Sequence, residues 1–397
     1  MRYAVLALLS CCFLSGAAPA SADDVVGLDC SQKSLADAVR DVRDDRRTVI
    51  LFTGICAGPI TIRTDGLTII GVSPAIIDGG GSSDAVTVNG AGRVSLAYLE
   101  VRNGATGIRA VNGAHLTLAG VTAHDNLVSG ISLQTASSAV LFNVAVNDNG
   151  AHGLDVGNGA SATVGGSLTA TGNHIVGLNV NGSTITFSQA TVVANGNALG
   201  IQIAGGANAI ISDTATVINA DHNVVTGLMV AGGRMLMVGG TFNTSDNPVS
   251  GVSVKSNGAL DLDATATLNS AGNGDGVVVQ DGSVMSVFNT PQLSGLMGFS
   301  TLNVHNNTGN GVRVLTGSTL ALTNQGRVLS TQNSRTGLIA DNGVGLTLVN
   351  STITGNSVRD LQLTFGARAD LQTLVFGTYS CDATVLVRGT SGMVCPH

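Results

Sequence analysis

The sequence predicts an all-β solenoid of stacked three-strand rungs, a parallel β-helix closed by one short capping helix. Three observations predict it. Gly is 54 of 397 residues, aromatic residues are 3%, Trp is absent, and charged residues are 11%, against roughly a quarter in ordinary soluble domains. Abundant Val, Thr, Gly and Asn with few Glu and Lys favour short strands and many turns, and the 44% hydrophobic share suffices for a continuous core. The second observation is a recurring phrase, Asn-x-x-x-Gly followed by alternating apolar residues: NLVSGISL, NHIVGLNV, NVVTGLMV, NPVSGVSV, NTGNGVRV, NSRTGLIA. The third is its period. Aligned on Gly107, Gly130, Gly153, Gly177, Gly200, Gly227, Gly251, Gly276, Gly311 and Gly337, with Asp360 in that place one turn later, the steps are 23, 23, 24, 23, 27, 24, 25, 35, 26 and 23 residues.

The strands follow from one period. Between Gly177 and Gly200, Leu178-x-Val180, Ile185-x-Phe187 and Val192-x-Ala194 alternate with period two, separated by NGS, SQA and NGNAL. Three strands and three turns make one rung. With a less regular turn around Ala85, about 11–12 rungs at ~4.8 Å give a rod of roughly 50–60 Å. Hexapeptide helices of about 18 residues per rung, leucine-rich repeats and propeller blades of ~40–45 residues do not match this period.

The turns follow from the Asn column. Asn103, Asn126, Asn149, Asn173, Asn223, Asn247, Asn307, Asn333 and Asn356 stand four residues before the aligned position, and Asn197 and Asn273 lie beside the two gaps. Inward-facing Asn at one corner of every rung can bond to the Asn above and below and fix the stacking register. The Gly is expected to supply the positive φ of a tight bend. A row of Asn reading sugar hydroxyls is the competing use of the column; the ladder accounts for it without a ligand.

The ends are of a different kind. Residues 1–22 read as a signal peptide: Arg2, an apolar run from Ala4 to Leu14, and Ala20-Ser21-Ala22 as the cleavage pattern. Leu8-Leu9-Ser10-Cys11 offers a lipoprotein reading, with a very short apolar segment. Residues 23–50 form an N-terminal cap, where Ser34-Leu35-Ala36-Asp37 has capping-box spacing and Leu35, Ala38, Val39 and Val42 make an apolar stripe. The β-helix spans 51–366 and a C-terminal cap 367–397. Four cysteines remain after cleavage, Cys30, Cys56, Cys381 and Cys395. Of three connectivities their spacing favours Cys30–Cys56 and Cys381–Cys395, disulfide staples on the two ends, and it matches no zinc finger or ribbon. The expected location is secreted or periplasmic. No later stretch reaches the ~18 apolar residues of a membrane span. Loss of Arg2 takes the formal charge from −7 to about −8, and without basic runs this speaks against nucleic acid as a partner.

From the capping helix through every rung, these residues resemble the right-handed parallel β-helix, or pectin-lyase-like, superfamily. That resemblance implies a rod that binds or acts on uronic-acid polysaccharides along one face, as pectate lyases, polygalacturonases, and alginate lyases and epimerases do. Phage tailspikes and adhesin-like surface proteins share the fold. The catalytic signatures of those enzymes depart here. Of the polygalacturonase set Asn-Thr-Asp, Asp-Asp, Gly-His-Gly and Arg-x-Lys, only NGAHGLDVGNG with His152 is near the third. The Asp-Pro-His-Asp of the epimerases is absent, and Lys occurs past the leader only at Lys33 and Lys255.

Candidate chemistry therefore lies where the repeat is interrupted by charge. Five residues before the repeat Gly, successive rungs carry Arg102, Asp125 and Asp148; two residues after it they carry Arg109, Ser132 and Asp155. His124, His152 and His174 flank these columns. Asp125 and Asp148, expected one rung apart at near 5 Å, form the candidate Ca²⁺ or acid pair. Asp125, Asp148, His152, Arg109, Asp155, His124 and His174 are the candidate catalytic residues, and Asp221, His222 and Asp246 form a second set. The same groups are also what polar turns and surface ion pairs supply. A further departure is the 35-residue step, whose excess, NTPQLSGLMGFS at 289–300, should bulge from one turn. The functional expectation is an exported protein that binds a polysaccharide or modifies it as a lyase, hydrolase or epimerase. The alternative is a non-catalytic surface or envelope protein, structural or adhesin-like, and the scarcity of aromatic rings for sugar stacking favours it.

Overall fold

The computed structural model describes residues 24–43, 47–289, 298–323, 325–389 and 392–395. The expected leader at 1–22, the lipoprotein reading at 8–11 and most of the 289–300 insertion lie outside them. At the base of that insertion, the Asn289 side-chain amide donates to the Gly298 carbonyl at 2.6 Å and to Gln325 Oε1 at 2.9 Å.

Chain entry is set by Ser34, whose Oγ accepts from the Asp37 N–H at 3.2 Å and caps the helix Leu35–Arg40. Leu35 and Val39 sink into the core while Asp37 and Arg40 pair on the outside, so one short amphipathic turn closes this end. Beyond it every strand pairing is parallel. Among the described residues, 14 strands form one sheet running from Ile60–Ile62 to Tyr379–Cys381, and 25 form a second. The second sheet holds two strand columns. Long strands such as Ser138–Asn147 carry both through a bend, marked by a register shift between Phe142 and Val144 with Asn143 at φ 54°. Each rung therefore has three sides.

The first sheet counts 14 rungs, two more than the repeat suggests. Ile60–Ile62 pairs beneath Val86–Asn89, and Tyr379–Cys381 pairs beyond Arg359–Leu363, although neither end rung carries the Asn or Gly by which the others are recognised. Stacking also runs on into 367–397, where Arg368–Gln372, Val375–Phe376 and Leu386–Gly389 continue the second sheet. Fourteen rungs at ~4.8 Å make a rod of about 60 Å. Disulfides Cys30–Cys56 and Cys381–Cys395, with Cα atoms 5.0 and 5.5 Å apart, brace the two ends.

The core is a set of aliphatic columns. Ile108, Ile131, Leu154, Leu178, Ile201, Leu228, Val252 and Val277 stand in register on successive strands, all essentially inaccessible. Each such side chain contributes about 1.5–3 kcal/mol by burial. That supply replaces the helices and aromatic clusters this composition lacks.

Ten asparagines form the ladder: Asn126, Asn149, Asn173, Asn197, Asn223, Asn247, Asn273, Asn307, Asn333 and Asn356. In each link the backbone N–H and the Nδ2 of one Asn both donate to Oδ1 of the next, at 2.8–3.3 Å. Asn197 and Asn273, beside the apparent gaps, are full members; each stands three positions before its Gly rather than four. Asn103 is not a member. Gly104 holds the ladder position and donates its N–H to Asn126 Oδ1 at 2.9 Å, while the Asn103 amide turns to Asp78 at 2.8 Å.

The repeat glycines also serve otherwise than expected. None of the ten has positive φ; the left-handed residue is the one before the ladder position, as at Asn103 (52°), Asp125 (52°), Asp148 (53°), His222 (54°) and Asp246 (56°). What requires Gly is space. A Cβ on Gly107, Gly130, Gly177 or Gly200 would lie within 2.8 Å of the next rung's ladder Nδ2 and within 3.0 Å of the facing Gly carbonyl. Asn and Gly are thus one device shared between adjacent rungs.

Candidate functional site

The columns read from the sequence separate onto two sides of the rod. Thr122–His124 pairs with Glu100–Arg102 in the second sheet, so Arg102 stands opposite His124, and Asn103 opposite Asp125. Counting back from Gly107 had aligned Arg102 with Asp125; the shorter spacing in that rung shifts it by one. Arg109, Ser132 and Asp155 lie in register on the first sheet, as expected. The ladder corner separates the groups.

On the second sheet the charges pair with one another. Arg102 reaches Asp78 at 3.3 Å and Glu100 at 3.2 Å; His124 contacts Glu100 through Nε2 at 3.1 Å and Asp125 through Nδ1 at 2.7 Å. Asp78 lies below the usual carboxylate range, chiefly through its hydrogen bond from Asn103 and against the opposing effect of burial. Glu100, the only Glu in the chain, and Asp78 were missed by motif reasoning. The singularity of Glu100 was the available signal. Asp148 occupies the slot after Asp125 in the left-handed column, exposed and with no side-chain partner among the described residues. A Cβ on Gly172, the next in that column, would strike the Asp148 carboxylate. As a Ca²⁺ site, Asp125 and Asp148 would supply part of the six to eight oxygens that ion takes. Among the described residues no three His, Cys, Asp or Glu converge as a metal site.

On the first sheet a polar strip runs along the rod. Arg109 meets Asp84 at 3.4 Å. Asp155 accepts from Ser132 Oγ at 3.3 Å and Gln134 Nε2 at 2.8 Å on one oxygen, and from Asn179 Nδ2 at 2.8 Å on the other. Asn158 extends the strip by donating to Gln134 Oε1 at 2.8 Å, and Gln202 follows Asn179 in register. His152 sits at the start of the Asp155 strand, half-buried, with Nδ1 enclosed and unpartnered. Burial holds its pKa below the ordinary histidine value, and the charge of Asp155 works in the opposite direction. At neutral pH the ring is therefore a neutral imidazole beside a carboxylate, able to accept a proton. Reading the column two residues past each Gly would have found Asn179 and Gln202; Asp84 and Gln134 carried no repeat signal.

The remaining candidates stand apart. His174 lies exposed on the corner with no side-chain partner among the described residues. His222 and Asp246 stack 3.5 Å apart, but Asp221 turns into the structure, accepting from the Ser245 N–H at 2.7 Å. Burial raises its pKa, partly offset by that hydrogen bond.

The coil and its ladder match the family model described as a right handed beta helix region over residues 60–219. The rod is a right-handed parallel β-helix. The match spans about two fifths of the chain and describes the coil, without naming a particular family. No curated protein sequence matches the chain. Among solved structures, pectate lyase Pel9A is 15% identical over 68% of this chain and 76% of its own, with a TM-score of 0.45. The alginate lyase from Paenibacillus sp. str. FPU-7 is 14% identical over 76% and 99%, TM-score 0.38. The Azotobacter vinelandii mannuronan C-5 epimerase AlgE6 A-module is 13% identical over 89% and 93%, TM-score 0.37. In the described part of this β-helix no helix is long and apolar enough to cross a membrane.

Proposed function

We propose that this β-helix is an exported protein that binds a polysaccharide along the outer face of its first sheet, over the rungs of Arg109, Ser132, Asp155, Asn179 and Gln202. The observation that carries the reading is this uninterrupted column of hydrogen-bonding side chains. At ~4.8 Å per rung its repeat is close to the advance of one sugar ring in an extended chain. Export is supported by the leader pattern and by two disulfides, which persist in oxidising compartments. If the site is catalytic, His152 is the base and Asp155 the group that orients the substrate. Asp125 and Asp148, across the ladder corner from that face, would be the carboxylates to hold a Ca²⁺ ion, which would supply positive charge toward an acidic sugar at that edge.

A second reading, a non-catalytic envelope or adhesin-like rod, is favoured by one feature: both oxygens of Asp155 already accept from neighbouring side chains. The experiment is affinity electrophoresis of the mature protein in gels containing acidic or neutral polysaccharides, with Ca²⁺ or EDTA. The same panel is assayed for unsaturated uronate, new reducing ends and altered uronate NMR spectra. Retardation that Asp155→Asn and Asn179→Ala abolish is expected. A blank panel sinks polysaccharide binding, and turnover that survives His152→Gln removes the assigned base.

A further inference from the structure

The late rungs of the first sheet carry a second polar site of opposite charge character. A depression of about 420 Å³ opens there, lined by Asp275, Asn310, Arg313, Arg335, Ile339 and Gln362, with Val358 at its edge. Its floor is built by register: Arg313, Ile339 and Gln362 stand one above another on three successive rungs. Arg313 is held in place from one side. Asp275 accepts from its Nη1 at 2.8 Å through one oxygen, and from the Asn310 N–H and Nδ2 at 2.8 and 3.0 Å through the other. Both oxygens of that carboxylate are thus occupied, one by the guanidinium and one by Asn310. Arg335 and Gln362, by contrast, have no side-chain partner among the described residues.

This differs from every early-rung arginine of the candidate columns. Arg102 is shared by Asp78 and Glu100, and Arg109 by Asp84. Here two guanidinium groups face one carboxylate, so the depression has an excess positive charge within a chain of formal charge −7. An unpaired guanidinium, an unpaired amide and the apolar side chains of Ile339 on the floor and Val358 at the edge suit a ligand with one ring face and one oxyanion.

We propose that this depression is a binding site for a saccharide bearing an oxyanion, a carboxylate or a sulfate ester. Arg335 and Arg313 take the oxyanion, Gln362 takes a neighbouring hydroxyl, and the ring lies over Ile339. The site stands whether or not the early-rung face binds a polymer, since it shares no residue with it.

The test is isothermal titration of the full chain with trigalacturonate, monosulfated lactose and neutral maltotriose. At least one anionic ligand is expected to bind, maltotriose not detectably, and the tighter anionic ligand names the oxyanion. Arg335→Gln should weaken that binding about tenfold, as loss of one charge-assisted hydrogen bond does. Arg368→Gln, an exposed arginine on the other sheet, should leave it unchanged. Far-ultraviolet circular dichroism confirms that the exposed substitutions preserve the fold. The proposal is overturned if neither anionic ligand binds, if maltotriose binds equally well, or if Arg335→Gln binds as the parent does.

Discussion

Replacing Asn247 by Ala removes the centre of the ladder. Its Oδ1 accepts from the Asn223 N–H at 2.9 Å and Asn223 Nδ2 at 3.2 Å, and its Nδ2 donates to the Ala220 carbonyl at 3.1 Å and Asn273 Oδ1 at 2.9 Å. The residue is wholly inaccessible, so water cannot substitute without entering the core. Two donors on Asn223 and one carbonyl lose a partner, while Asn273 Oδ1 still accepts the backbone N–H of residue 247. At about 1–3 kcal/mol per unsatisfied buried group, with partial relaxation, the loss should be on the order of 3–5 kcal/mol. Urea denaturation followed by circular dichroism reads the global change, and amide hydrogen exchange at Asn223 reads the local one. Exchange there should accelerate far more than at Leu361, several rungs away, because a solenoid is coupled mainly between neighbours. A loss under about 1 kcal/mol with unchanged Asn223 exchange would refute the claim that the ladder sets the register.

Three further outcomes follow from the same geometry. Gly227→Ala should cost at least about 1–3 kcal/mol by denaturation, because the new Cβ meets the Ala220 and Gly251 carbonyls at 2.6 and 2.9 Å and Asn247 Nδ2 at 3.0 Å; a neutral result would remove the spatial reason for the repeat glycine. Asp360 sits below the usual carboxylate pKa, since hydrogen bonds from Asn356, Thr378 and Gly377 outweigh the upward push of burial. Its contribution is therefore present above the unfolded value near 3.8 and lost as pH falls through the folded one. The deficit of Asp360→Asn against the parent should shrink on acidification in that window, and a pH-independent deficit contradicts it. His152 should titrate by NMR below the ordinary histidine value of 6.5, so stability declines as pH falls from there through its folded pKa; a midpoint at or above 6.5 contradicts its enclosure.

The fold was legible because its cause is periodic: an alternation of two inside a recurrence near 24 residues leaves few alternatives. Finer details failed where that count slips. Asn197 and Asn273 looked like gaps, and Arg102 like a neighbour of Asp125, because the corner holds three or four residues interchangeably while the strands keep register. Of the end rungs, Ile60–Ile62 lies inside the expected coil but went uncounted and Tyr379–Cys381 lies beyond it, since neither has a ladder residue to announce it. Of the candidate site, the Arg109–Ser132–Asp155 column was readable, since it lies within a strand. Its partners Asp84 and Gln134, and the Glu100–His124 contact, depend on side-chain reach between rungs, which spacing does not encode.

The ladder also has a direction. Every side-chain amide presents its oxygen to the preceding rung and its N–H to the next, so ten small dipoles add head to tail along the axis. Such a chain must finish on something negative, as a helix N-terminus does when it holds an anion. Here the last donors, from Asn356, fall on the carboxylate of Asp360, whose other oxygen takes the N–H groups of Gly377 and Thr378. A rod lengthened by whole rungs in the middle would keep this polarity intact. One cut back past Asp360 would leave a partial positive charge facing outward, ready to receive an anion in its place.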